Sequence, residues 1–212
     1  MFIKQKLIME INTIFNNVKD MLIDRGDNVD EFVEHFAGID VDEFYNDKNI
    51  IEFHTSSTTI IFALTKKLKN FITNELKEYS KTDISQFIEK YNGKNNVILI
   101  FNNDTISTPI TQQLNSYDKL FQKKGGILQY FQIKNVMFNP TRHHLVPKHI
   151  KLTNEETLEV MEKNLIKGKS QFPYILHTDV IAKWIGLKQG DVVKIERYNE
   201  NSGLYYYYRV CV

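Results

Sequence analysis

Residues Val97-Ile98-Leu99-Ile100-Phe101 form an unbroken apolar run, bounded by Gly93-Lys94-Asn95-Asn96 before it and Asn102-Asn103-Asp104 after it. A strand with one wet face alternates apolar and polar residues, whereas a strand covered on both faces does not. The run therefore predicts a buried strand with other layers packed against it, and so a mixed helix-and-sheet domain. The flanking patterns fit. Between residues 6 and 24, Leu7, Ile8, Ile11, Ile14, Phe15, Val18, Met21 and Leu22 make one apolar helical stripe, opposite Glu10, Thr13, Asn17, Asp20 and Asp24. Arg25-Gly26-Asp27 ends that helix with a glycine stop signal. A short acidic helix is expected over Asp30–Phe36, and strands around Ile50–Phe53 and Thr59–Leu64. Helices around Lys66–Tyr79 and Ile84–Tyr91, a helix near Pro109–Tyr117 and a strand near Ile127–Ile133 complete this part.

Asn139-Pro140-Thr141 reads as a junction, which puts one domain at residues 1–138 and a second at 139–212. Beyond it, Thr153-Asn154-Glu155-Glu156 is a capping-box pattern opening a helix that carries Leu158, Met161 and Leu165. Thr178 or Asp179 can cap a second short helix, closed by Gly186. Two strand-like runs, Val192–Tyr198 and Leu204–Cys211, flank a five-residue turn from Asn199 to Gly203 and predict a β-hairpin.

With 212 residues, 42% of them hydrophobic and 25% charged, the chain can bury a core and is not wholesale disordered. Its 27 basic and 26 acidic residues leave a net charge of +1, which argues against an autonomous, non-specific nucleic-acid binder. That neutrality hides a split: residues 138–212 hold 11 basic against 8 acidic residues, and the rest of the chain 16 against 18. The lone cysteine, Cys211, excludes an internal disulfide and a cysteine-based metal site. The apolar runs Ile60–Leu64 and Val97–Phe101 have five residues each, far below the ~20 needed to span a bilayer. With Lys4, Gln5 and Lys6 breaking the N-terminus, the expectation is an intracellular soluble protein.

Catalytic and metal chemistry find little footing. His143, His144 and His149 form the densest histidine cluster, but adjacent residues normally point apart and Pro147 prevents a helical i, i+4 pair. Local hydrogen bonding is the preferred reading, with no metal. Ser107, Ser170 and Ser202 lack a nucleophile-elbow context, and Gly125-Gly126 is an isolated turn rather than a phosphate loop. No catalytic residue and no cofactor are expected. Two features suit binding. Thr108 as cap and Pro109 as first helical residue would open a helix N-terminus suited to a phosphate, with Lys119, Lys123 and Lys124 following; a plain capped surface helix is the competing reading. Tyr205-Tyr206-Tyr207-Tyr208-Arg209 must send alternate tyrosines to opposite sides of a strand, toward a partner surface or toward the domain's own core.

Three stretches carry a family resemblance: Arg142-His143-His144-Leu145-Val146-Pro147-Lys148-His149; Gly186-Leu187-Lys188-Gln189-Gly190-Asp191-Val192-Val193-Lys194-Ile195-Glu196-Arg197; and Gly203-Leu204-Tyr205 with Tyr208-Arg209. Together they resemble the fifth-largest subunit shared by eukaryotic RNA polymerases I, II and III, and its shorter archaeal counterpart. More weakly, the Asp24-Arg25-Gly26 turn and the Asn102-Asn103 to Thr108-Pro109 loop resemble the family's N-terminal half. The resemblance implies an α+β chain: residues 1–138 an α/β, nuclease-like jaw domain without the nuclease active site, residues 139–212 a small mixed-sheet assembly domain like the archaeal counterpart. It implies a non-catalytic subunit docked on the largest polymerase subunit, not a homo-oligomer and not membrane-bound. His144, Leu145, Val146, Pro147, His149, Gly186, Leu187, Gly190, Val193, Ile195, Arg197, Gly203, Tyr205, Tyr208 and Arg209 would form the assembly motif. Thr108, Pro109, Lys119, Lys123 and Lys124 would lie near downstream duplex DNA, with weak phosphate contacts only.

Departures from the family pattern fall at Val180, where its helix-opening proline is lost, at Asn199-Glu200-Asn201, and at Tyr174. Only four basic residues are arginine (Arg25, Arg142, Arg197 and Arg209), and abundant Asn, Ile and Lys, whose codons are AT-rich, point to an AT-rich source; with the departures, this suggests a large DNA virus encoding its own polymerase. A large DNA virus would place the protein in cytoplasmic viral factories and virions, a cellular eukaryote in the nucleus. The readings from other classes are a nuclease that uses the jaw fold and a free transcription adaptor.

Overall fold

The computed structural model describes residues 2–44, 50–64, 96–102, 106–201 and 203–212. Two compact units divide it, Met1–Phe138 and Asn139–Val212. Both combine helices with a mixed sheet.

In the first unit, α1 (Phe2–Asp24), α2 (Asp30–Ala37) and α3 (Val41–Phe44) precede β1 (Ile51–His54) and β2 (Thr58–Ala63). Then come β3 (Asn96–Phe101), α4 (Thr108–Lys123), β4 (Leu128–Gln132) and the single turn α5 (Ile133–Val136). The strands line up as β1-β2-β3-β4, β1 antiparallel to β2 and the other pairs parallel. The apolar run sits on β3, one of the two inner strands, and Val97 through Phe101 are all buried. Leu114, Tyr117 and Phe121 of α4 cover Val97, Leu99 and Phe101 of the sheet. The predicted helices at 66–79 and 84–91 lie outside the described residues.

Gly26 adopts φ +82°, which lets the Asp27 N–H reach back to the Leu22 carbonyl at 3.0 Å and closes α1. The preceding Arg25 is turned inward and donates to Gln129 Oε1 at 2.6 Å, tying the end of α1 to β4. Burial draws its guanidinium down to about 10, against the opposing pull of Asp27. Asp27 itself accepts from Ser57 Oγ and, at 2.6 Å, from Thr58 Oγ1, so the α1 terminus is pinned to the start of β2 as well.

The second unit begins with a 3-10 turn (Pro140–Arg142) and continues through β5 (Lys148–Lys151), α6 (Asn154–Lys163) and β6 (Tyr174–Ile175). It ends with α7 (Val180–Trp184), β7 (Val192–Asn199) and β8 (Gly203–Cys211). The sheet order is β5-β7-β8-β6; β6 runs parallel to β8 and the other pairs are antiparallel. The hairpin is longer than the sequence predicts, because Asn199 and Gly203, expected in the turn, pair as strand residues.

Both reciprocal bonds of the capping box form, Glu156 N–H to Thr153 Oγ1 at 3.1 Å and Thr153 N–H to Glu156 Oε2 at 2.8 Å. Three local expectations are corrected. Ser107, with φ −75° and ψ 151°, is the cap residue of α4, which moves Thr108 into the first helical position and Pro109 one further in. α6 carries Leu158 and Met161 as expected, Leu158 exposed and Met161 on the inward face with Thr157 and Val160, but Leu165 lies beyond the helix, exposed and at φ +54°. The rings of His143 and His144 do not point apart but stack with centroids 4.8 Å apart.

Candidate docking site

Strand alternation sorts the hairpin into two faces. Val193 and Ile195 of β7, with Tyr207 and Cys211 of β8, pack against Ala182 of α7 and against Ile175, Ile185 and Leu187. Val192, Tyr208 and Val210 pack the other way, against Val160 and Met161 of α6 and against Leu152, Ile166 and Phe172. The sheet is thus covered on both faces, and the tyrosine run is divided between them.

On the α7 face a groove of about 250 Å³ remains open. The loop Leu145-Val146-Pro147 and His149 of β5 form one wall, and Asp179 with Ile181 at the start of α7 form another. Ile175, Ile195, Arg197 and Arg209 complete it. Pairing explains the convergence: β5 sets His149 opposite Ile195, and β8 sets Tyr205 opposite Arg197. Tyr207 is therefore the diagonal neighbour of Arg197 and stands two residues from Arg209 on the same side. Both guanidiniums lie near its ring, at 5.2 and 5.5 Å from the centroid. Arg209 Nη1 also donates to the Tyr174 carbonyl at 2.9 Å.

His149 Nδ1 lies 2.7 Å from the Pro147 carbonyl, which can only accept, so Nδ1 carries the proton and Nε2 is left as an acceptor. Burial lowers the pKa of His149, and Arg197 and Arg209 add to that; the Pro147 bond and Asp179 oppose it. The folded state therefore favours neutral His149. The stability this confers is present above the unfolded-state value of 6.5 and is lost as pH falls through the lower, folded-state value. We expect acidification from pH 7.5 to 5.5 to lower the stability of the second unit. His149→Gln should flatten that part of the profile in urea titrations; an unchanged slope would show that His149 is not its source.

Asp179 caps α7, its Oδ1 accepting from the N–H groups of Ile181 at 2.8 Å and Ala182 at 3.2 Å. The absence of proline at Val180 leaves this cap intact. The motif glycines all have positive φ: Gly186 +66°, Gly190 +87° and Gly203 +70°. At Gly190 the turn is held by Asp191, which accepts from the Lys188 N–H at 2.7 Å and pairs with Lys151 at 2.7 Å.

Of the motif residues, Leu145, Val146, Pro147, His149, Ile195, Arg197 and Arg209 meet at the groove. Leu187 and Val193 are fully buried beneath it. His144 stacks on His143, Tyr205 is exposed near the hairpin end, and Tyr208 faces α6 with Phe172 6.5 Å away. Tyr207 and Asp179 belong to the groove region and are absent from the predicted motif set. Counting back two residues from Arg209 would have found Tyr207, since strand neighbours at that spacing share a face.

In the first unit, Thr108 and Pro109 are exposed at the start of α4, while Lys119, Lys123 and Lys124 are exposed toward its other end. At 1.5 Å per residue the lysines lie roughly 16–24 Å further along the helix, so the structure does not gather them with the threonine and proline. Among the described residues no group of three or more His, Cys, Asp or Glu could hold a metal ion, and no helix is long and apolar enough to cross a membrane.

Residues 138–211 match the family model described as RNA polymerase Rpb5, C-terminal domain. The DNA-directed RNA polymerases I, II, and III subunit rpabc1 of Dictyostelium discoideum is 42% identical over 105 residues, 50% of this chain and 52% of that relative. The corresponding RPABC1 subunits of Caenorhabditis briggsae and Caenorhabditis elegans are each 41% identical over 86 residues, 41% of this chain and 40% of theirs. The chain thus matches about half or less of the length of these curated relatives.

Proposed function

We propose that this chain, whose residues 138–211 match the Rpb5 C-terminal domain family, is a non-catalytic subunit of a multisubunit DNA-directed RNA polymerase. The observation that carries the reading is coincidence: the family segment covers the compact unit Asn139–Val212 almost residue for residue, and its motif residues converge on one groove. The Dictyostelium match, at 105 residues, is longer than the family segment.

In this reading Asn139–Val212 is the assembly domain and docks on the largest polymerase subunit. Met1–Phe138 is the jaw, a nuclease-like fold held near downstream duplex DNA, in a single copy per polymerase. The scarcity of arginine and the changes at Val180 and Asn199–Asn201 favour a large DNA virus as source, with the protein in viral factories; a cellular version would be nuclear. Neither the nuclease nor the free-adaptor reading draws support from a comparison.

Purification through a tag on this chain, from its source, tests the proposal. The largest polymerase subunits should be recovered in roughly equal amounts. Recovery as a free monomer would overturn the subunit reading, and clearly substoichiometric occupancy would favour an adaptor. For the jaw, Thr108→Ala with Pro109→Ala should weaken retention on downstream DNA about 2- to 5-fold, the size of one lost hydrogen bond from the Thr108 hydroxyl to a phosphate. Assembly should be unaffected; loss of the mutant subunit from polymerase would show instead that this turn is structural.

A further inference from the structure

The groove on the α7 face carries a cation that the described residues leave without an acceptor. Arg197 is only partly exposed, and among the described residues its guanidinium meets the Tyr207 ring but no carboxylate or carbonyl. An aromatic face attracts the charge yet satisfies none of the five N–H donors, so a half-desolvated guanidinium in this position is incompletely compensated. Arg209 adds a second cation with one of its donors used on Tyr174. Asp179, the acid in the groove wall, has Oδ1 engaged by the start of α7. Glu196, the neighbour of Arg197 in sequence, lies on the opposite face of the sheet and pairs with Lys194 at 3.6 Å. The groove therefore keeps a surplus of positive charge beside an aliphatic lining of Val146, Ile181 and Ile195.

We infer that this groove receives an extended segment of the polymerase polypeptide on which the chain docks, carrying a carboxylate side chain next to an aliphatic one. The inference rests on the subunit reading above and specifies the chemistry of its partner. The carboxylate takes the open fork of Arg197, in the paired geometry that guanidinium and carboxylate share. The aliphatic neighbour fills the space over Ile181 and Ile195. Charge complementarity selects a carboxylate. The volume, about 250 Å³, and the apolar lining suit one or two side chains rather than a duplex backbone.

The test uses the full-length chain assembled into polymerase in its source. Arg197→Lys keeps the charge and supplies a primary amine. Treatment with a water-soluble carbodiimide activates a nearby carboxylate, the new amine attacks it, the urea leaves, and an amide bond remains. Peptide mass spectrometry of this variant should find links from position 197 to an Asp or Glu of another polypeptide, and none from position 197 in the wild type. Links confined to Asp179 or Glu196 of the same chain, in polymerase that has assembled, would overturn the inference. A second variant, Arg197→Met, keeps the aliphatic stem over Tyr207 and removes the donors. It should weaken attachment about 30-fold or more, seen as release from immobilised polymerase at lower salt, with circular dichroism unchanged. Release matching wild type would count against the inference, as would loss of attachment on nuclease treatment, which would assign the groove to nucleic acid. If wild-type chain fails to co-purify with polymerase at all, the subunit reading fails, and that outcome is distinct from assembly of Arg197→Lys without a link from position 197.

Discussion

Trp184→Ala is expected to unfold the C-terminal unit, or nearly so, and to remove the chain from polymerase. Trp184 is the last residue of α7 and is 1% exposed, the largest fully buried side chain among the described residues. α7 lies against the 3-10 turn at Pro140–Arg142. Truncating a buried tryptophan costs about 3–5 kcal/mol, because the transfer energy is lost and the cavity only partly collapses. A unit of this size is stable by about 4–11 kcal/mol in all. The substitution thus removes from about a quarter of that to all of it. A fall in melting temperature of more than about 10 °C, read by circular dichroism, follows from ~4–8 °C per kcal/mol for a domain this small. Trp184→Phe, which leaves a smaller void, should lose less than half as much. Tyr198→Ala makes the control: the side chain is 76% exposed, and surface changes of that kind stay within about 0.5 kcal/mol. A Trp184→Ala protein that melts like wild type would mean that α7 does not seal the core on this face.

The second large effect falls in the other unit. Phe53 on β1 is fully buried, and its ring meets Phe32 at 5.1 Å and Phe62 at 5.4 Å, both edge-on, with Phe36 and Phe44 each at 6.3 Å. With the His35 ring of α2 at 5.0 Å, it joins α2 and α3 to the sheet through five rings at once. Phe53→Ala should destabilise this unit by about 3–5 kcal/mol from burial and cavity terms. The lost edge-to-face pairs, each worth ~0.5–1.5 kcal/mol, are part of why the value belongs at the upper end. Hydrogen exchange should show the loss in the amides of β1 and β2. The hairpin β7–β8, whose described core clusters are built from residues of the second unit, should keep its protection. Equal loss of protection in both sheets would show that the two units unfold together.

The elements read most clearly from sequence are those whose determinants are local. The α1 stripe from Ile11 to Leu22, the glycine stop at Gly26 and the Thr153 capping box each depend on residues within one or two turns, and each forms as patterned. Where a local signal was shared by neighbours, the structure chose between them. Ser107 and Thr108 are both good caps, and the extended backbone at Ser107 selects it. Leu158 and Val160 could each face inward from α6, and the sheet takes Val160. The stacking of His143 on His144 follows from a turn in which Val146 N–H bonds back to the His143 carbonyl at 2.8 Å. Nothing in the residue types alone dictates that turn.

The mixed α+β class, the hairpin, the motif residues with their family resemblance and the charge split between the two halves are all legible in the order of residues. These are matters of periodicity, turn chemistry and composition, all carried by short stretches of chain. It takes the folded chain to bring Leu145–Pro147, His149, Arg197 and Arg209 into one groove and to set Tyr207 rather than Tyr208 between the two arginines. The reason is register. β5 pairs with β7 across more than 40 residues of intervening chain, and β6 joins β8 in parallel at the far edge. A shift of one residue in the β7–β8 pairing would send Tyr207 to the α6 face and Tyr208 to the groove. Which register holds is set by the burial of Val193, Ile195 and Cys211 against α7, a sum over long-range contacts that no local pattern contains.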